Sequence, residues 1–141
     1  MKQQIEFNEI IKEIFSKELS HYGLFLQNEE NGMITFSSNK VSIKFIFDPR
    51  SHQNLFFLKY HANDFIYENF LVEQFLEIIE TPRFERRSFK EYIISWAKFR
   101  FDYLIKFKES ILLGDEIFFK ELESYFKNQN EIYNKNLKKN N

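Results

Sequence analysis

The chain contains no cysteine, which excludes disulfides and thiolate metal ligands at once. Only three glycines and two prolines occur in 141 residues, so there is little material for a glycine-rich phosphate cradle. No G-x-x-x-x-G-K-[ST] loop, G-x-S-x-G elbow or H-E-x-x-H pair is present. An excess of one charge is missing too. Twenty basic and twenty-one acidic residues give a formal charge of −1, with no global attraction to nucleic acid or an acidic membrane surface. No apolar run approaches the roughly 18–20 residues of a membrane helix. The start, Met1 to Glu6, lacks the basic flank and apolar stretch of a signal peptide. These absences lead us to expect a soluble cytoplasmic protein with no cofactor and no membrane or nucleic-acid partner.

What the chain has in quantity is aromatic rings: nineteen Phe, seven Tyr and one Trp. Each buried ring removes about 150–250 Å² from water, enough for a real core in a single domain. The surplus has two explanations. Codon bias favours Phe, Ile, Lys and Asn together, and partner surfaces are enriched in Tyr and Trp.

The hydrophobic period changes near Asp64. Before it, Val41-Ser42-Ile43-Lys44-Phe45-Ile46-Phe47 alternates apolar and polar residues. After it, apolar residues recur every three to four positions. Strands early and helices late specify an α+β fold. Ile5, Phe7, Ile10, Ile11, Ile14, Phe15 and Leu19 mark an N-terminal amphipathic helix ending near Ser20 to Gly23. Strands are expected at about 22–28, 33–38, 40–47 and 54–60, with Asn31-Gly32 as a hairpin turn and Asp48-Pro49-Arg50-Ser51 as another. The expectation is a four-stranded antiparallel meander over residues 22–60.

Three helices should cover this sheet. The first spans 65–80 and is stopped by Thr81-Pro82. The second, about 88–112, opens with the capping box Ser88-Phe89-Lys90-Glu91, and its two apolar stripes place it between the sheet and another helix. The third runs through about 115–135, after Gly114 and an Asp115 cap. The polar tail 134–141 is expected to fray. One domain, residues 1–141, accounts for the whole chain.

Charge distribution is more suggestive than any motif. Residues 64–80 carry Asp64, Glu68, Glu73, Glu77 and Glu80 and no base, whereas Arg83, Arg86, Arg87, Lys90, Lys98 and Arg100 follow. On a helix, Glu73, Glu77 and Glu80 share one face, where like charges four apart cost a few tenths of a kcal/mol. Either an intramolecular basic neighbour such as Arg83, Arg86 or Arg87 offsets that cost, or a basic partner does, or nothing does. On the partner account the docking face is Glu73, Glu77 and Glu80, with Tyr67 as an exposed aromatic anchor. Asp48 and Arg50 offer a second candidate at the end of the sheet, although turn chemistry alone explains them. His21, His52 and His61 show no metal-ligand spacing. Arg100 falls among Trp96, Ala97, Tyr103 and Leu104, so it should stack on an aromatic ring and find a carboxylate.

The stretch Val41 to Ser51, ending Phe47-Asp48-Pro49-Arg50-Ser51, resembles a pattern in small bacterial proteins. So does Leu112-Leu113-Gly114-Asp115-Glu116-Ile117-Phe118-Phe119-Lys120-Glu121-Leu122. With the leading helix and the glycine-turned hairpin, the resemblance spans about residues 5–126. In size and layout that group is similar to immunity proteins of bacterial polymorphic toxin systems. The resemblance implies an α+β fold and a non-catalytic protein that neutralises a toxin; a basic toxin domain is the partner that the acidic stretch 64–80 would suit. The alternatives are an adaptor or homodimer without a toxin, and an enzyme with a site near Asp48 and His61.

Overall fold

The structure, a computed structural model, describes residues 2–51, 53–80 and 88–139, and leaves the side chain of Lys139 undescribed. His52, the Thr81-Pro82 stop, Arg83, Arg86 and Arg87 lie outside the described residues. The order is α1 (Lys2–Ser20), β1 (Phe25–Glu30), β2 (Met33–Ser37), β3 (Val41–Asp48), β4 (Gln53–Tyr60), β5 (Ile66–Glu68), α2 (Asn69–Phe75), α3 (Phe89–Lys106) and α4 (Glu116–Lys139). The fold is α+β, and the strands form one antiparallel meander in the order β1-β2-β3-β4-β5.

The strict alternation in β3 determines how the sheet sits. Val41, Ile43, Phe45 and Phe47 are buried on one face, while Ser42, Lys44, Ile46 and Asp48 are half-buried on the other. Phe45 is the hub of the covered face. Its ring packs against Phe15 of α1 (4.5 Å between centroids), Phe56 of β4 (5.8 Å) and Trp96 of α3 (6.4 Å). Helix α3 touches the sheet through Trp96 and Tyr103 and touches α1 through the Phe15–Phe101 contact, so it is served by two apolar stripes as expected. Ser88 caps α3, its Oγ accepting the Glu91 amide at 3.1 Å. Asp115 caps α4 through the Phe118 amide at 3.0 Å. Gly32 supplies the positive φ (81°) that closes the β1–β2 hairpin.

The expected helix over 65–80 does not form as one piece. Its first residues become β5, because Ile66-Tyr67-Glu68 alternates and pairs with Phe57, Leu58 and Lys59 on the free side of β4. Five strands therefore replace four. The rest is only seven residues of helix. It ends where Ile78 donates to the Glu73 carbonyl (2.9 Å) and Glu77 to that of Gln74 (3.1 Å). Glu77 stands at φ 56°, the left-handed position of a Schellman ending that glycine more often fills. The helix expected over 88–112 is also shorter. Phe107 leaves it at φ −105°, and successive turns then bring Ile111 and Leu112 into the core. Helix α4 continues to Lys139, past the expected end near 135. Among the described residues no helix is long and apolar enough to cross a membrane.

Candidate functional site

The second face of the sheet is the exposed feature with the most chemistry. Helices pack against the Val41–Phe47 side, and among the described residues no helix packs against the other. That face is concave and bounds a cavity of about 760 Å³ lined in part by Thr35, Ser37, Ser42, Lys44, Phe57, Lys59 and His61. The register explains the collection: Thr35 lies opposite Lys44, Ser37 opposite Ser42, Ser42 opposite Lys59, and Lys44 opposite Phe57. Residues opposed in an antiparallel ladder point the same way, so three strands deliver these side chains to one place. Phe25 and Ile66 flank the face on β1 and β5 and are 61% and 57% exposed.

A chain of hydrogen bonds crosses one end of the concavity. Ser37 Oγ and Ser42 Oγ are 2.7 Å apart, and Ser42 Oγ is 2.7 Å from His61 Nε2. His61 Nδ1 lies 3.1 Å from the Asn39 carbonyl. A carbonyl only accepts, so in a neutral imidazole Nδ1 carries the proton and Nε2 accepts from the Ser42 hydroxyl. Ser42 Oγ is then left to accept from Ser37. This is a hydroxyl with a base oriented by a third group, the arrangement that activates nucleophiles. The backbone amides of β3 are engaged in ladders with β2 and β4 on both sides. Lys44 and Lys59, on the same face, are the charged donors of this concavity. Both are half-buried and neither forms an ion pair among the described residues.

The acidic candidates are placed differently from expectation. Because β5 and α2 replace a continuous helix, Glu73, Glu77 and Glu80 do not share a helical face. Glu73 is 8% exposed and points inward. Its Oε2 accepts from Tyr103 Oη (2.9 Å) and Asn69 Nδ2 (3.1 Å), and its Oε1 lies 3.5 Å from Arg100 Nη2. Glu80 receives both terminal nitrogens of Arg100, at 3.0 and 3.1 Å. The guanidinium, 2% exposed, also lies 4.8 Å from the centroid of Trp96. The basic neighbour of this acidic cluster is thus Arg100, within the same chain, and the stacked, carboxylate-paired Arg100 agrees with its sequence position. Tyr67 is fully buried, packed at its ring edge by Phe126 and donated to by Asn63 (2.9 Å), so it is not an exposed anchor. Alternation in β5 turns it inward, opposite the buried Leu58.

Asp48 holds its turn, accepting from the Arg50 amide and the Ser51 hydroxyl, each at 3.0 Å. The hydrogen bond from the Arg50 amide, then that from the Ser51 hydroxyl, holds its carboxyl below the usual value. Arg50 is exposed beside it. Asp48 and His61 lie at opposite ends of the eight-residue β3–β4 ladder, on the order of 20 Å apart, so the expected site joining them is not assembled. Among the described residues no group of His, Asp and Glu could hold a metal ion. The Ser42–His61 pair and the two lysines escaped the sequence reading, although the polar half of the β3 alternation carries two of the four, Ser42 and Lys44. The missing information was the register, which brings residues nineteen apart into contact.

Comparison of the chain with protein-family models, with curated proteins and with solved structures finds no significant match in any of the three.

Proposed function

We propose that this is a non-catalytic binding protein that docks a protein partner on the uncovered face of its sheet, and that it acts as an immunity protein neutralising a bacterial toxin by stoichiometric binding. The observation that carries the binding reading is the uncovered face itself: a concavity with a polar floor, flanked by exposed Phe25 and Ile66. Exposed apolar side chains around a concave surface are characteristic of interaction sites. The toxin as partner rests on the resemblance of Val41–Ser51 and Leu112–Leu122 alone. The acidic cluster is a poor docking face because Arg100 already occupies Glu73 and Glu80.

Affinity purification of the tagged protein from its native host tests the reading. The expected result is one partner retained at equal stoichiometry and lost when Phe25 and Ile66 are both replaced by Glu. A self-associated species of constant mass, with nothing else retained, would replace it with the adaptor or homodimer reading.

The Ser42–His61 pair supports a second reading, a hydrolase acting by acyl transfer. There His61 would take the Ser42 proton as the oxygen attacks a carbonyl. Hydrolysis of p-nitrophenyl acetate, abolished by Ser42→Ala with no partner retained, would establish it over the binding protein.

A further inference from the structure

We infer that the uncovered face is built to receive a carboxylate-rich segment of its partner, with Lys44 and Lys59 as the recognising charges. The inference rests on the binding reading and names the chemistry of what binds. Lys44 on β3 lies opposite Phe57, and Lys59 on β4 lies opposite Ser42, so the two lysines are diagonal neighbours whose Cα atoms are about 7–8 Å apart. Two like charges carried from neighbouring positions, half-buried in a concavity and without an ion-pair partner among the described residues, leave a concentrated positive potential.

The negative groups of this face stand at its margins. Glu68 lies opposite Phe57, diagonal to Lys59, yet forms no ion pair with it. Glu30 lies at the far end of β1, opposite Met33, and Asp48 is committed to its turn. Thr35 sits opposite Lys44 and brings a hydroxyl alongside the charges, whereas the Ser42 hydroxyl, opposite Lys59, is already given to His61. Carboxylates accept from both kinds of donor at once, which suits this arrangement better than a basic ligand would. The partner charge is thus opposite in sign to the one the acidic stretch 64–80 implied.

Fluorescence anisotropy with a labelled, end-capped hexaglutamate peptide tests this, with hexaglutamine as the control. Wild-type protein should bind hexaglutamate, with an affinity that falls as salt rises, and leave hexaglutamine free. Lys44→Gln/Lys59→Gln should weaken hexaglutamate about tenfold, as expected for two modest charge pairs. Lys90→Gln/Lys98→Gln, on exposed α3 positions, should leave it unchanged. Equal binding of the two peptides overturns the inference without any variant. So does equal binding of hexaglutamate by both double variants, or its displacement by equimolar inorganic phosphate, which would assign the lysines to small anions. Retention of a native partner by both Lys44→Gln/Lys59→Gln and wild type would leave the binding protein intact and remove only the carboxylate chemistry.

Discussion

Tyr60 and Phe119 stack almost parallel, with ring centroids 4.3 Å apart and planes 5° from coincidence. The contact joins the last residue of β4 to the first turn of α4, and Phe119 is completely buried. Phe119→Ala should lower stability by about 3–5 kcal/mol, the range for truncating a buried ring. Phe119→Leu should cost less, because it keeps most of the volume. Urea denaturation of both variants checks this; an alanine variant within 1 kcal/mol of wild type would show that α4 is not anchored through this stack.

Arg100 and its two carboxylates make a sharper test. Arg100→Met leaves Glu73 buried without its cation, at a cost of about 3–5 kcal/mol. Adding Glu73→Gln and Glu80→Gln should restore much of that loss, since the remaining groups are neutral. Glu73→Lys, which an exposed face would tolerate, should instead be strongly destabilising. Chemical denaturation of the set decides; equal stability of Arg100→Met and wild type would place the guanidinium in water.

Tyr103 sets a pH dependence. Burial and the adjacent Glu73 carboxylate hold its hydroxyl well above the usual value of 10.0. The folded state therefore keeps this proton at pH values where the unfolded chain has released it. Stability from this source is full below about pH 10 and declines as pH rises from there through the folded-state value. Tyr67, raised by its own burial, acts in the same sense. The urea midpoint should fall above about pH 10, and Tyr103→Phe should make that fall shallower. An identical slope in the variant would show that other groups control the alkaline limb.

Glu77 occupies a left-handed position, φ 56°, at the end of α2. A side chain there costs roughly 1–2 kcal/mol relative to glycine, partly offset by the greater freedom of glycine in the unfolded chain. Glu77→Gly should accordingly raise stability by up to about 1 kcal/mol, read as a shift in melting temperature. A lower melting temperature would mean that the Glu77 side chain holds the segment in a way its backbone does not explain.

How much of this was legible in the sequence depended on the range of the interactions involved. The β3 alternation, the Ser88 cap and the Asp115 cap are local, each settled by residues within a few positions, and each was readable. The interior position of Arg100 was readable too, because Trp96, Ala97, Tyr103 and Leu104 surround it on one wheel. Its acids were not, since Glu73 and Glu80 reach it from 27 and 20 positions away. β5 was missed for a similar reason. Three residues carry too little periodicity, and the strand exists because β4 offers an unpaired edge. The uncovered face stayed hidden until the register put Lys59 opposite Ser42.

The alternation in β3 also separates two kinds of evolutionary constraint along a single strand. Val41, Ile43, Phe45 and Phe47 are locked by neighbours on every side, so almost any change there is felt by the whole domain. Ser42, Lys44 and Ile46 face away from that core. Their replacement leaves the interior untouched. A scaffold arranged in this way can change what it recognises by altering every second residue, while the residues between them keep the fold constant.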